Sequence, residues 1–151
     1  MVDLPPEYIL STTLKVGIVY KFSAEEYINS DIPHFFIVVA IDDDEIYTVN
    51  STSQKNNKIK FFDKKGLDYS GLVFIKPDTD NGFTHDDNCV NCNDYYSFSK
   101  QSLLTKINSN NFEIAGTISY NHFDQIRNGI CSSHINDLPC DMLIHPDDDL
   151  A

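Results

Sequence analysis

The stretch His34-Phe35-Phe36-Ile37-Val38-Val39-Ala40-Ile41 limits the possible folds more than any other part of the chain. It is a short run of apolar, largely β-branched and aromatic residues, introduced by Pro33, which ends any preceding helix. An acidic turn, Asp42-Asp43-Asp44-Glu45, interrupts it, and a second β-prone run extends from Glu45 to Asn50. Two such runs around a short polar turn predict an antiparallel hairpin. The longest apolar run, Phe35 to Ile41, is far too short to span a bilayer. A hairpin needs further strands or a helix to cover it, so the rest of the chain must supply them.

The flanking sequence offers several. Leu14 to Phe22 alternates and predicts a strand, and Ser23 caps a short helical turn over 24–29. Further short strands are expected at 57–62 and at 72–76, where Pro77 closes the run. Residues 78–93, rich in Asp, Asn and Gly, predict a long loop, and 95–98 a return to the sheet. Ser99 caps a helix with Leu103, Leu104 and Ile107 on one face. Residues 112–118 predict a strand. Ser119 caps a last helix over 120–130, with Phe123, Ile126 and Ile130 at helical spacing. Five or six short, mostly antiparallel strands with short helices predict a mainly β domain, a small barrel or strongly curved sheet. The expected organisation is one domain over 1–132 and an irregular acidic tail over 133–151. At 151 residues the chain is long enough to bury about 68–70% of its unfolded surface around one core.

Charge and cysteine content narrow the function. With 23 acidic against 11 basic residues the net charge is −12, and Arg127 is the only arginine. Such a chain is not a general nucleic-acid binder, because phosphate contacts need clustered Lys and Arg. Lys55, Lys58, Lys60, Lys64 and Lys65 form one local basic run, a solvated loop or an RNA-facing edge. The N-terminus lacks the basic start and apolar centre of a signal peptide, so a cytoplasmic protein is expected. In that compartment Cys89, Cys92, Cys131 and Cys140 are not expected to form a disulfide framework. Cys89-Val90-Asn91-Cys92 has the spacing of a zinc knuckle that Cys131 and Cys140 would complete; buried thiols are the weightier reading. Asp86, Asp87 and Asp94 lack the spacing of a calcium loop. No metal and no cofactor are therefore expected.

The order of segments resembles the PemK/MazF toxin family of small SH3-like barrels, over roughly 16–130. Val16-Gly17-Ile18-Val19-Tyr20-Lys21-Phe22 matches the opening strand, and His34-Phe35-Phe36-Ile37-Val38-Val39 the strand that usually begins Arg-Pro. Ser51-Thr52-Ser53-Gln54 matches a Thr-Ser or Thr-Ser-Gln strand end. The segment 92–104, then Ile114-Ala115-Gly116-Thr117-Ile118-Ser119, then the last helix complete the order. The resemblance implies an SH3-like antiparallel barrel with a C-terminal helix. It implies a metal-independent endoribonuclease acting on single-stranded RNA, held in check by an antitoxin protein and paired as a homodimer. No membrane or DNA partner is expected.

The resemblance also implies the site. His34 takes the arginine position, Thr52 the threonine position, and Ser53 follows it. RNA cleavage needs a base for the 2′-hydroxyl, an acid for the leaving 5′-oxygen and a cation for the phosphorane. Histidine performs the proton steps near neutral pH but carries charge only when protonated. His85, beside Asp86 and Asp87, is the candidate for the second proton step. His122, in the first turn of the last helix, reads as structural or exposed, and His134 and His145 as unconnected tail residues. A catalytically silent SH3-like module that binds a protein partner is the competing expectation, drawn from the acidity and the missing arginine.

Overall fold

The computed structural model describes residues 4–28, 32–52, 59, 64–66, 71–84, 88–109 and 111–150. Within them the chain forms a mixed α/β domain: a seven-stranded antiparallel sheet and three α-helices. Helix α1 (Pro6–Thr13) is followed by β1 (Ile18–Phe22), β2 (His34–Asp42), β3 (Glu45–Thr52), β4 (Leu72–Ile75), β5 (Asn88–Asn91) and β6 (Tyr96–Ser99). Then come α2 (Lys100–Ile107), β7 (Glu113–Thr117) and α3 (Tyr120–Ser132), with short 3-10 turns at Cys140–Met142 and Asp148–Leu150.

The hairpin is the centre of the sheet. β2 and β3 pair from Phe35↔Ser51 to Asp42↔Glu45, and Asp43 takes the left-handed backbone (φ 51°) that Asp tolerates better than most side chains. The sheet runs β4-β5-β3-β2-β1-β7. β3 is long enough to take two partners in line: β6 along Glu45–Thr48 and β5 at Ser51 and Thr52.

Both faces of the sheet are covered, which explains why β2 reads as a continuous apolar run instead of alternating. Phe36 and Val38 face one layer with Tyr20, Phe22, Ile46 and Phe98, under Leu10 of α1 and Leu103 and Ile107 of α2. Ile37 and Val39 face the other with Val19, Val49 and Val90, under Phe123, Ile126 and Ile130 of α3. Each fully buried side chain of this kind contributes about 1.5–3 kcal/mol. Phe123, Ile126 and Ile130 are thus spent inside the chain and cover its own sheet.

The expected barrel does not close. Among the described residues β4 and β7 remain edges at the two ends of the strand order, β6 is an edge beside β3, and loop 76–83 meets β7 without a strand ladder. The Thr117 N–H donates to the Asp80 carbonyl (2.7 Å), where Gly116 and Gly82 let the two backbones touch. Buried Asn81 shapes the loop: its Nδ2 donates to the Lys76 carbonyl (2.9 Å) and its Oδ1 accepts from the Phe83 N–H (3.0 Å).

Other expectations need correction. β1 starts at Ile18, not Leu14, because Gly17 turns the chain at φ 99°. α1 has no counterpart in the sequence reading: only Leu10 of its residues is buried, so no apolar stripe announces it. β5 lies inside the expected loop 78–93; asparagines at both ends hide it. The expected strand 57–62 lies outside the described residues except Ile59, which is helical. Cys131 and Cys140 are joined in a disulfide, so neither is a thiol or a zinc ligand, while Cys89 and Cys92 are buried thiols as expected. The stretch 133–150 is irregular apart from two 3-10 turns, and it packs on the core through Leu138, Leu143 and His145. No described helix is long and apolar enough to cross a membrane.

Candidate functional site

His34 opens β2 as the register partner of Phe22. Side chains two apart on a strand share a face, so His34 lies on the face of Phe36, toward the layer that holds Phe22. The β2–β3 register Phe35↔Ser51, continued by one pair, sets His34 directly opposite Thr52. Opposite residues on one face have Cβ atoms about 4.5–5.5 Å apart. Thr52 is half-buried at the end of β3 and is the register partner of Cys89 in β5. Ser51 points to the other face, where it is buried between Phe35 and Val90. Alternation therefore separates the hydroxyls of Ser51 and Thr52. Ser53 and His85 lie outside the described residues.

The electrostatics of His34 follow from its place. The residue is half-buried, and its Nε2 is buried with no hydrogen-bond partner among the described residues. Burial removes water from the ring and lowers its pKa below the usual value of 6.5. At neutral pH the ring is a neutral imidazole. It can accept a proton, but it does not replace the fixed charge of an arginine.

Charge at this end of the face comes from elsewhere. Lys106 of α2 places Nζ 5.9 Å from the Phe22 ring centroid, but that ammonium already pairs with Glu26 (2.8 Å) and donates to the Ser23 carbonyl (2.9 Å). Asn50, two residues before Thr52 on the same face, donates to the Phe35 carbonyl at 3.4 Å; the sequence reading did not single it out. The Lys-rich run contributes exposed Lys64 and Lys65, while Lys55, Lys58 and Lys60 lie outside the described residues.

The remaining candidates go elsewhere. Arg127 sits on α3, in the opposite layer, where it anchors the tail: it donates to both oxygens of Asp148 (3.0 Å each), to Asp124 (2.8 Å) and to the Leu143 carbonyl (3.1 Å). The Tyr120 hydroxyl donates to Asp148 at 2.7 Å, and the His145 N–H does so at 2.9 Å. These bonds, the His145 N–H first, hold the Asp148 carboxyl at about 2. His145, expected to be unconnected, is buried against the Tyr120 and Phe123 rings. His122 is half-buried with its Nδ1 unpartnered, and His134 is exposed. Asp94 is exposed and accepts from the Tyr95 N–H, while Asp86 and Asp87 lie outside the described residues. Among the described residues no group of three His, Cys, Asp or Glu side chains could hold a metal ion. No protein-family model and no curated protein matches the chain.

Proposed function

We propose that this protein is a toxin-like, metal-independent endoribonuclease of the PemK/MazF type, cleaving single-stranded RNA and restrained by an antitoxin partner. The observation that supports the reading is the β2–β3 register, observed as far as Phe35↔Ser51, whose continuation by one pair would set His34 opposite Thr52. In this reading the open sheet, with loop 76–83 between its two ends, stands where the family has a closed barrel. The neutral His34 ring takes the proton of a ribose 2′-hydroxyl. The 2′-oxygen then bonds to the adjacent phosphorus, the bond from phosphorus to the 5′-oxygen breaks, and a second acid, His85, protonates that leaving oxygen. Thr52 donates a hydrogen bond to a non-bridging oxygen, and Ser53 sits beside it. The enzyme works in the cytoplasm as a homodimer, through a surface other than the buried face of α3. Incubating the purified chain with single-stranded RNA of varied sequence in EDTA tests the proposal; products ending in a cyclic phosphate support it, and intact RNA refutes it.

A second reading, a non-catalytic module that binds a protein partner, is favoured by one observation. Arg127 is committed to the tail and Lys106 to Glu26, so neither is a free cation for a phosphorane. Capture of a partner protein together with full absence of cleavage in every variant would select it.

A further inference from the structure

We infer that the Cys131–Cys140 disulfide is a reversible thiol-exchange site that clamps one loop without carrying the fold. Cys131 lies in the last turn of α3 and Cys140 opens the following 3-10 turn, and both residues are exposed. An external thiolate can reach this bridge, whereas Cys89 and Cys92 are fully buried and burial pushes the Cys92 thiol up to about 12.

The loop between the two cysteines braces another part of the molecule. The Ser133 hydroxyl pairs with the Asn93 Oδ1 at 2.8 Å, and the Asn136 Nδ2 donates to the Cys92 carbonyl at 2.9 Å. Both contacts fall on the turn joining β5 to β6, the two strands that flank β3 in line. The chain on either side of the bridge is held by other means. Before it, Phe123, Ile126 and Ile130 are buried; after it, Leu143 is buried and Arg127 holds the Leu143 carbonyl and Asp148. Inside the loop Leu138 is buried in the core, so opening the bridge frees the stretch 133–137 and its brace while Leu138, α3 and the tail stay docked.

The exchange is balanced with a dithiol as reductant. One thiolate of the dithiol attacks a sulfur of the bridge and forms a mixed disulfide, and the second thiolate displaces the remaining cysteine. The dithiol is oxidised to its own disulfide, and two electrons and two protons pass to Cys131 and Cys140. A disulfide reagent such as oxidised glutathione reverses the step.

The test uses the full chain, purified oxidised. It is treated in native buffer with increasing dithiothreitol, alkylated with iodoacetamide and mapped by mass spectrometry. The expected result is alkylation of Cys131 and Cys140 alone, with unchanged circular dichroism and Cys89 and Cys92 modified only after denaturant. Amide exchange over 133–137 and 92–93 should rise about tenfold or more while β1–β3 stay protected. The Cys131→Ser/Cys140→Ser chain should show the same exchange pattern without reductant, and oxidised glutathione should restore slow exchange to the wild type. Modification of all four cysteines together, loss of circular dichroism on reduction, or unaltered exchange in the loop would each overturn the inference. So would a native chain that forms no bridge in oxidised glutathione.

Discussion

Three glycine-to-alanine changes separate backbone strain from contact, two of them at the place where the sheet fails to close. Gly66 has φ 67° and nothing within 4 Å of an added methyl among the described residues. Gly116→Ala needs no unusual φ, but its methyl would overlap the Asp80 carbonyl oxygen. Gly82 carries both penalties, with φ 76° and the Ala115 carbonyl in the way. A left-handed residue other than glycine costs about 1–2 kcal/mol, partly offset by about 0.4–1 kcal/mol from a stiffer unfolded chain. Overpacking against backbone costs about 1–3 kcal/mol, and loss of the Thr117–Asp80 hydrogen bond adds about 1 kcal/mol. Gly66→Ala should therefore cost about 0–1.5 kcal/mol, Gly116→Ala about 1–3.5, and Gly82→Ala about 2–5.5. Urea denaturation followed by circular dichroism reads the order directly. Equal losses at Gly66 and Gly116, or a Gly116→Ala chain as stable as wild type, would mean that loop 76–83 does not lie against β7.

Ile126→Ala removes a fully buried side chain from under the sheet and should cost about 2–5 kcal/mol in the same assay, without making the chain oligomerise differently in light scattering. Asp148 is held at about 2, so its bonds add stability that is complete above the ordinary carboxylate range near 4 and is lost as pH falls toward 2. Asp148→Asn should flatten the acid limb of thermal stability in that window, and an unchanged limb would show that the tail anchor does not form. Opening the Cys131–Cys140 bridge, with nine residues of separation, should cost about 2.5 kcal/mol by loop entropy, or roughly 5–10 °C in Tm. A calorimetric shift far above that would contradict the independent anchoring of the tail.

What the sequence revealed follows the range of the interactions involved. The β2–β3 hairpin was legible because strand length, turn and apolar content all lie within twenty residues. Ser99 and Ser119 were legible as caps because a cap acts three residues ahead, and each hydroxyl does accept from the expected backbone N–H. The register at the far end of the hairpin was not legible, because a bulge between Val38 and Ala40 shifts by one the pairing that the turn sets at Asp42↔Glu45. β5 was hidden because its partners, β3 and β4, supply the pairing that its own four residues do not announce. His145 was hidden for the same reason: Tyr120 and Phe123, against whose rings it packs, lie far off in sequence. The disulfide escaped because the compartment expectation outweighed a spacing that says nothing about geometry. α1 escaped because one buried leucine makes no pattern.

RNA cleavage in EDTA by wild type, His34→Ala and His34→Arg tests the functional reading most directly. The wild type should cleave, and His34→Ala should lose about 100-fold or more while keeping its Tm. Protonation of His34 disables the base, and burial lowers its pKa, so the acid limb of the rate should fall below 6.5. His34→Arg, whose guanidinium stays protonated and cannot take the 2′-hydroxyl proton, should lose cleavage as His34→Ala does. Uncut RNA in all three, or equal rates for wild type and His34→Ala, would contradict the account.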